Sequence, residues 1–144
     1  MARRDGRGLL VGIVLVAVLL VGCESRGSVR NSRVRCKARM GEGTCEGTFG
    51  SVQGDYTYSI EDVDRAPGTA VWLDLDVSIT TGALRVTLDV DDGEEVVMVA
   101  KPGESVAYAG EVATDAMGHV SIGMAVPEGE VAEGVAFRAA WELQ

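Results

Sequence analysis

The chain has 144 residues, of which 13 are basic and 22 acidic, giving a formal net charge of −9. That length holds one domain and hardly two. The acidic excess repels phosphate backbones and no aromatic stacking platform offsets it, which excludes nucleic acid as a partner.

Arg3, Arg4 and Arg7 precede an apolar run from Leu9 to Val21 that only Gly12 interrupts. A bilayer span takes about 20 apolar residues, so this shorter run suits the helical core of a secretory signal. Leu20-Val21-Gly22-Cys23 follows it and resembles the lipobox of bacterial lipoproteins at all its positions. The resemblance implies that residues 1–22 are a removed signal peptide and that Cys23 receives diacylglycerol on its sulfur. The remainder is then held at the cell membrane or outer membrane, exposed outside the cytoplasm. Each buried methylene contributes about 0.8 kcal/mol and a single acyl chain binds only marginally, so lasting anchorage needs the two or three chains of a mature lipoprotein. The membrane, through the lipid, is the first expected partner.

Residues 23–32 read as the anchor and a short polar tether, with the domain proper at 33–144. Arg26, Arg30, Arg33, Arg35, Lys37 and Arg39 crowd this region, whereas residues 41–144 hold only Arg65, Arg85, Lys101 and Arg138 against 20 acids. The basic stretch suits either anionic head groups, at about 1 kcal/mol per cation, or the solvated face of a first strand. Val34, Cys36 and Ala38 alternate with the basic residues, Gly41-Glu42-Gly43 turns the chain, and Cys45 and Phe49 continue it. Antiparallel pairing across that turn brings Cys36 and Cys45 together, and an oxidising compartment makes a disulfide the expectation. Zinc needs two further ligands that one histidine cannot supply.

Tyr56, Tyr58 and Ile60 mark the next strand. Val71, Leu73, Leu75, Val77 and Ile79 then alternate with Trp72, Asp74, Asp76, Ser78 and Thr80, which specifies register strongly because a one-residue slip would bury the aspartates. Thr81-Gly82 turns the chain back into Leu84, Val86, Leu88 and Val90, and Asp91-Asp92-Gly93 reads as a hairpin turn. Val96–Val99 is a continuous apolar strand closed by Pro102-Gly103. Val106-Ala107-Tyr108, then Val120 to Val126, then Val135 to Leu143 complete the series. Strands recur at short intervals with Gly or Pro turns between them and no long amphipathic helix. The expectation is an all-β fold, an antiparallel β-sandwich of eight to nine strands in a jelly-roll or Ig-like arrangement. Leu75, Val86 and Trp141 belong to its core.

From Ala70 onward the alternating strand, Thr81-Gly82-Ala83-Leu84-Arg85-Val86, Asp91-Asp92-Gly93, Lys101-Pro102-Gly103-Glu104 and the closing strand with Trp141 resemble small uncharacterised bacterial lipoproteins. More loosely, they resemble the pre-peptidase C-terminal type of β-sandwich. His119 stands where such domains often carry an aromatic. The resemblance implies an accessory or binding module of the cell envelope, with a protein or glycan partner.

Catalytic chemistry has little to work with. His119 is the only histidine, with Asp115 near it in sequence, but there is no Gly-x-Ser-x-Gly elbow. Asp89, Asp91, Asp92, Glu94 and Glu95 form the densest acidic cluster. Extracellular calcium modules use such oxygen-rich loops, but the glycine is misplaced for an EF-hand loop and an acidic hairpin turn accounts for the cluster, so Asp89, Asp91 and Asp92 are weak metal candidates. Asp74 and Asp76 are paired carboxylates of the kind glycoside hydrolases use, and Trp72 beside them is of a type that stacks on sugars. A solvated strand face explains all three without function. The expectation is a non-enzymatic envelope module with no cofactor; an envelope hydrolase acting on glycan or peptide through carboxylates is the alternative.

Overall fold

The strongest alternation in the sequence becomes the middle of a sheet. In the computed structural model, which describes residues 27–90 and 93–144, Ala70–Ser78 is β5, with every second residue from Val71 to Val77 buried. It lies between β10 (Ala132–Leu143) and β8 (Val106–Ala113). β10 pairs on its other side with β3 (Glu42–Gln53). The far edge of β3 is shared by β1 (Ser28–Arg30) and β2 (Arg33–Arg39), which break at Asn31, where φ is 53°. The second sheet runs β4 (Asp55–Ile60), β9 (Val120–Ala125), β6 (Leu84–Asp89), β7 (Glu95–Ala100). Every pairing is antiparallel.

From β3 to β10 the chain alternates between the sheets at every connection except the β6–β7 hairpin, giving sheet orders β3-β10-β5-β8 and β4-β9-β6-β7. Two four-stranded sheets wound in this order are a jelly roll, which decides against the Ig-like arrangement. Thr81-Gly82 is accordingly no hairpin turn. It carries the chain from one sheet to the other, and Thr81 bridges to Glu133.

Two further expectations change. There are ten strands among the described residues, because Ser28–Arg30, read as tether, pairs with Ser51–Gln53. The sheet therefore includes Ser28–Arg30, ahead of residue 33. The apolar run Val96–Val99 forms an edge strand whose alternate side chains point off the outer face of the sheet, so Val97 and Val99 face solvent while Val96 and Met98 lean inward.

The core fills the space between the sheets, and Leu75, Val86 and Trp141 all lie in it. Its β3–β10–β4 corner is aromatic: Phe49 meets Tyr56, Tyr58 and Phe137 with ring centroids 5.6–6.4 Å apart. Two glycines of β3 make room for rings from β10. A Cβ on Gly43 would stand 2.5 Å from the Trp141 ring, and one on Gly47 would run into Phe137. Glycine in a strand interior weakens it, and here bulky neighbours cover the bare backbone.

A candidate binding face on the six-stranded sheet

The alternation that buries Leu75 sends its neighbours to the outside of the larger sheet. Register then decides what they stand beside. Arg35, Glu46, Arg138, Asp76 and Ala107 form one row across β2, β3, β10, β5 and β8; Lys37, Thr44, Ala140, Asp74 and Ala109 form the next. Arg39, Glu42, Glu142, Trp72 and Glu111 make a third at one end, and Arg33, Thr48, Ala136 and Ser78 a fourth at the other.

The side chains have an order across the strands. β2 presents Arg33, Arg35, Lys37 and Arg39, all exposed. β10 presents short side chains, Ala136 and Ala140, on either side of Arg138. β5 presents Asp74, Asp76 and Trp72, the last 42% exposed. Low residues between taller flanks make a trough, which the exposed Arg138 and Glu46 side chains cross at its middle row. Two hollows occupy it end to end: one of about 580 Å³ bounded by Arg33, Arg35, Asp76, Ala136 and Arg138, and one of about 690 Å³ bounded by Lys37, Arg39, Trp72, Asp74, Ala140 and Glu142. One flank donates hydrogen bonds and the other accepts them. Arg138 pairs with Glu46 at 3.7 Å, both well exposed, and it is the only side-chain ion pair among the described residues. None of the β2 cations forms an ion pair among the described residues, although Arg35 and Arg39 stand opposite Glu46 and Glu42.

The other sequence candidates fall elsewhere. Cys36 and Cys45 stand directly opposite and form a disulfide, Cα–Cα 4.1 Å. Tyr58 reaches it from the facing sheet and donates its hydroxyl hydrogen to the Cys36 sulfur at 3.4 Å, since a disulfide has no hydrogen to give. Burial, then Tyr56, Asp62 and Glu61, push the Tyr58 pKa up and keep it a donor. Asp62 lies near both sulfurs, but sulfurs bonded to each other offer no thiolate to a metal. Asp89 faces solvent on the smaller sheet opposite Glu95. Asp91 and Asp92, like the signal segment and Cys23, lie outside the described residues.

Asp115 and His119 do meet, through the backbone. The Asp115 carboxylate accepts from the Met117 and His119 amides at 2.9 and 3.0 Å and from the Ser121 hydroxyl. Desolvation alone would raise its pKa, but these bonds and the nearby His119 outweigh it and hold the pKa below the usual value. The contacts clamp a turn. A folded state with the lower pKa binds fewer protons than the unfolded chain, so this contribution is complete above the ordinary aspartate range, near pH 4, and is lost as pH falls through the lowered value. Asp115→Asn is expected to lower stability at neutral pH and to flatten its acid dependence below pH 4, read by urea unfolding across that range.

Sequence reasoning found Trp72, Asp74 and Asp76 on one face and the cations of β2 on another segment, but did not join them. β3 and β10 bring them together from positions about 40 residues apart in the chain.

No protein-family model matches the chain, and no curated protein is similar to it in sequence. Among solved structures, it is similar to the CBM22-1 xylan-binding domain of Xyn10C from Paenibacillus barcinonensis, at 12% identity and TM-score 0.39, covering 85% of this chain and 90% of that one. A putative ethanolamine utilization protein, EutQ, from Salmonella typhimurium gives 13% identity and TM-score 0.37 over 78% and 71%. Coconut cocosin gives 11% and 0.39 over 86% of this chain and 28% of that one. Likeness at this level carries no functional meaning, and the jelly-roll assignment rests on strand order.

Proposed function

We propose that the chain is a lipid-anchored, non-enzymatic binding module of the bacterial cell envelope, working through the outer face of its six-stranded sheet. The observation that carries the binding face is the trough over β10 with exposed Trp72 on its rim. Exposed aromatics and arginines are the residue types that concentrate binding energy. The anchor is supported by the lipobox at Leu20–Cys23 and by a domain that begins close behind it. Asp74 and Asp76 stand side by side on the same flank. Glycoside hydrolysis needs two carboxyls on either side of the scissile bond, held about 5–9.5 Å apart. Neighbours on one open flank suit ligand holding better than bond breaking.

Two measurements test this. Metabolic labelling with a palmitate analogue is expected to mark the wild type and not Cys23→Ser; equal labelling ends the anchor. Immobilised full-length protein in detergent is expected to retain envelope material, protein or glycan, that Ala140→Arg, which fills the trough, releases. Retention unchanged by Ala140→Arg places binding elsewhere and overturns the binding face.

A further inference from the structure

We propose that the ligand of this face is an acidic polysaccharide, lying along β10 with its anionic groups toward β2 and its hydroxyls toward β5. The inference rests on the binding-face reading above and names the ligand class.

The first support is shape. The two hollows together extend from the Arg33 row to the Arg39 row, six residues along a strand, or about 20 Å. One hollow is floored by Ala136 and Thr48 and the other by Ala140 and Thr44, with the Arg138–Glu46 pair between them and Glu42 and Glu142 at the far end. That suits a linear polymer several rings long. A globular protein partner finds no cluster of large apolar side chains to bury there: Trp72 is the only large apolar residue of this face that is more than a third exposed.

The second support is charge. Outside β2 and its flanking segment the described chain is strongly acidic, so a polyanion is repelled nearly everywhere else. On β2, Arg33, Arg35, Lys37 and Arg39 face outward at every second position, about 6.8 Å apart. Thr48 and Thr44 stand opposite Arg33 and Lys37, so these two cations have no acidic residue directly across, whereas Glu46 and Glu42 stand opposite Arg35 and Arg39. Guanidinium and ammonium groups donate to carboxylate or sulfate oxygens. The opposite flank cannot hold an anion, because Asp74 and Asp76 only accept; sugar hydroxyls satisfy them. Trp72 at the end of that flank offers a ring face for a pyranose to lie on. A plain polyanion, such as an acidic peptide, satisfies β2 but offers no sugar ring to Trp72. A neutral glycan satisfies β5 and leaves β2 unused.

The test uses full-length protein in detergent micelles and three polymers: polygalacturonate, its methyl ester and polyglutamate. Polygalacturonate is expected to bind, with affinity falling as salt rises. Trp72→Ala and the double variant Arg33→Ala/Lys37→Ala are each expected to weaken it at least tenfold. Both alter exposed side chains, and an unchanged melting temperature confirms the fold. The methyl ester, which keeps the rings and loses the charge, is expected to bind at least tenfold more weakly. Polyglutamate is expected to bind weakly and without regard to Trp72. Equal binding of the ester overturns the acidic requirement while leaving a glycan-binding face in place. Equal binding of polyglutamate, or wild-type affinity in Trp72→Ala, overturns the polysaccharide. Failure to bind polygalacturonate, with envelope material still retained in an Ala140-dependent way, overturns the ligand class and spares the binding face; loss of both overturns both.

Discussion

Leu75→Asp is expected to leave the domain without a cooperative unfolding transition at room temperature. Leu75 is fully buried in the central part of β5, between Ala139 of β10 and Tyr108 of β8. Truncation to alanine alone costs about 2–5 kcal/mol at such a site, through lost transfer energy and the cavity left behind. An aspartate adds an unpaired polar group to an apolar core, and must either stay protonated or flood the core with water. Small domains have only about 5–15 kcal/mol to lose. Circular dichroism should show Leu75→Ala melting well below the wild type and Leu75→Asp with no melt at all. Asp74→Ala, one residue away on the open face, should leave the melt nearly unchanged. If Leu75→Asp melts like the wild type, the register of β5 against β10 is wrong.

Removing the disulfide is the second large effect. Cys36 and Cys45 close a loop of about ten residues, for which the chain-entropy estimate gives somewhat under 3 kcal/mol. Cys36 is exposed and Cys45 fully buried, so the two halves of the bridge differ. Cys36→Ser/Cys45→Ala keeps the buried position apolar, and its loss of stability in urea should approach that estimate. Reduction of the wild type should produce a shift of similar size. A double variant as stable as the oxidised protein would mean that β2 is held to β3 by its backbone ladder alone.

The alternation of β5, β6, β9 and β10 was legible because each strand has one face on the core and one in water, which a period of two records directly. The same logic placed Leu75, Val86 and Trp141 correctly. It failed where a strand owes its existence to a distant partner. Ser28-Val29-Arg30 carries a single apolar residue and becomes a strand because Ser51–Gln53 offers it an edge. It also failed where a turn looks the same for two topologies: Thr81-Gly82 has the composition of a hairpin and serves a crossing between sheets. The trough was invisible for the same reason. Its flanks are locally ordinary, a basic strand and an acidic strand, and only the order β2-β3-β10-β5 sets them facing each other across the alanines of β10.

The early start of β1 also has a consequence for reach. Residue 27 follows Cys23 by four positions, which span about 14 Å even when fully extended. A domain anchored at Cys23, as proposed, is moored on a line shorter than itself, since the twelve residues of β3 alone run about 40 Å. The end bearing Gly27, Gly54 and Pro127 would ride at the bilayer, and the hairpin tip at Met40 and the rim at Trp72 would point away from it. Such a protein does not search the periplasm or the medium; it meets what lies within about 55 Å of its own leaflet.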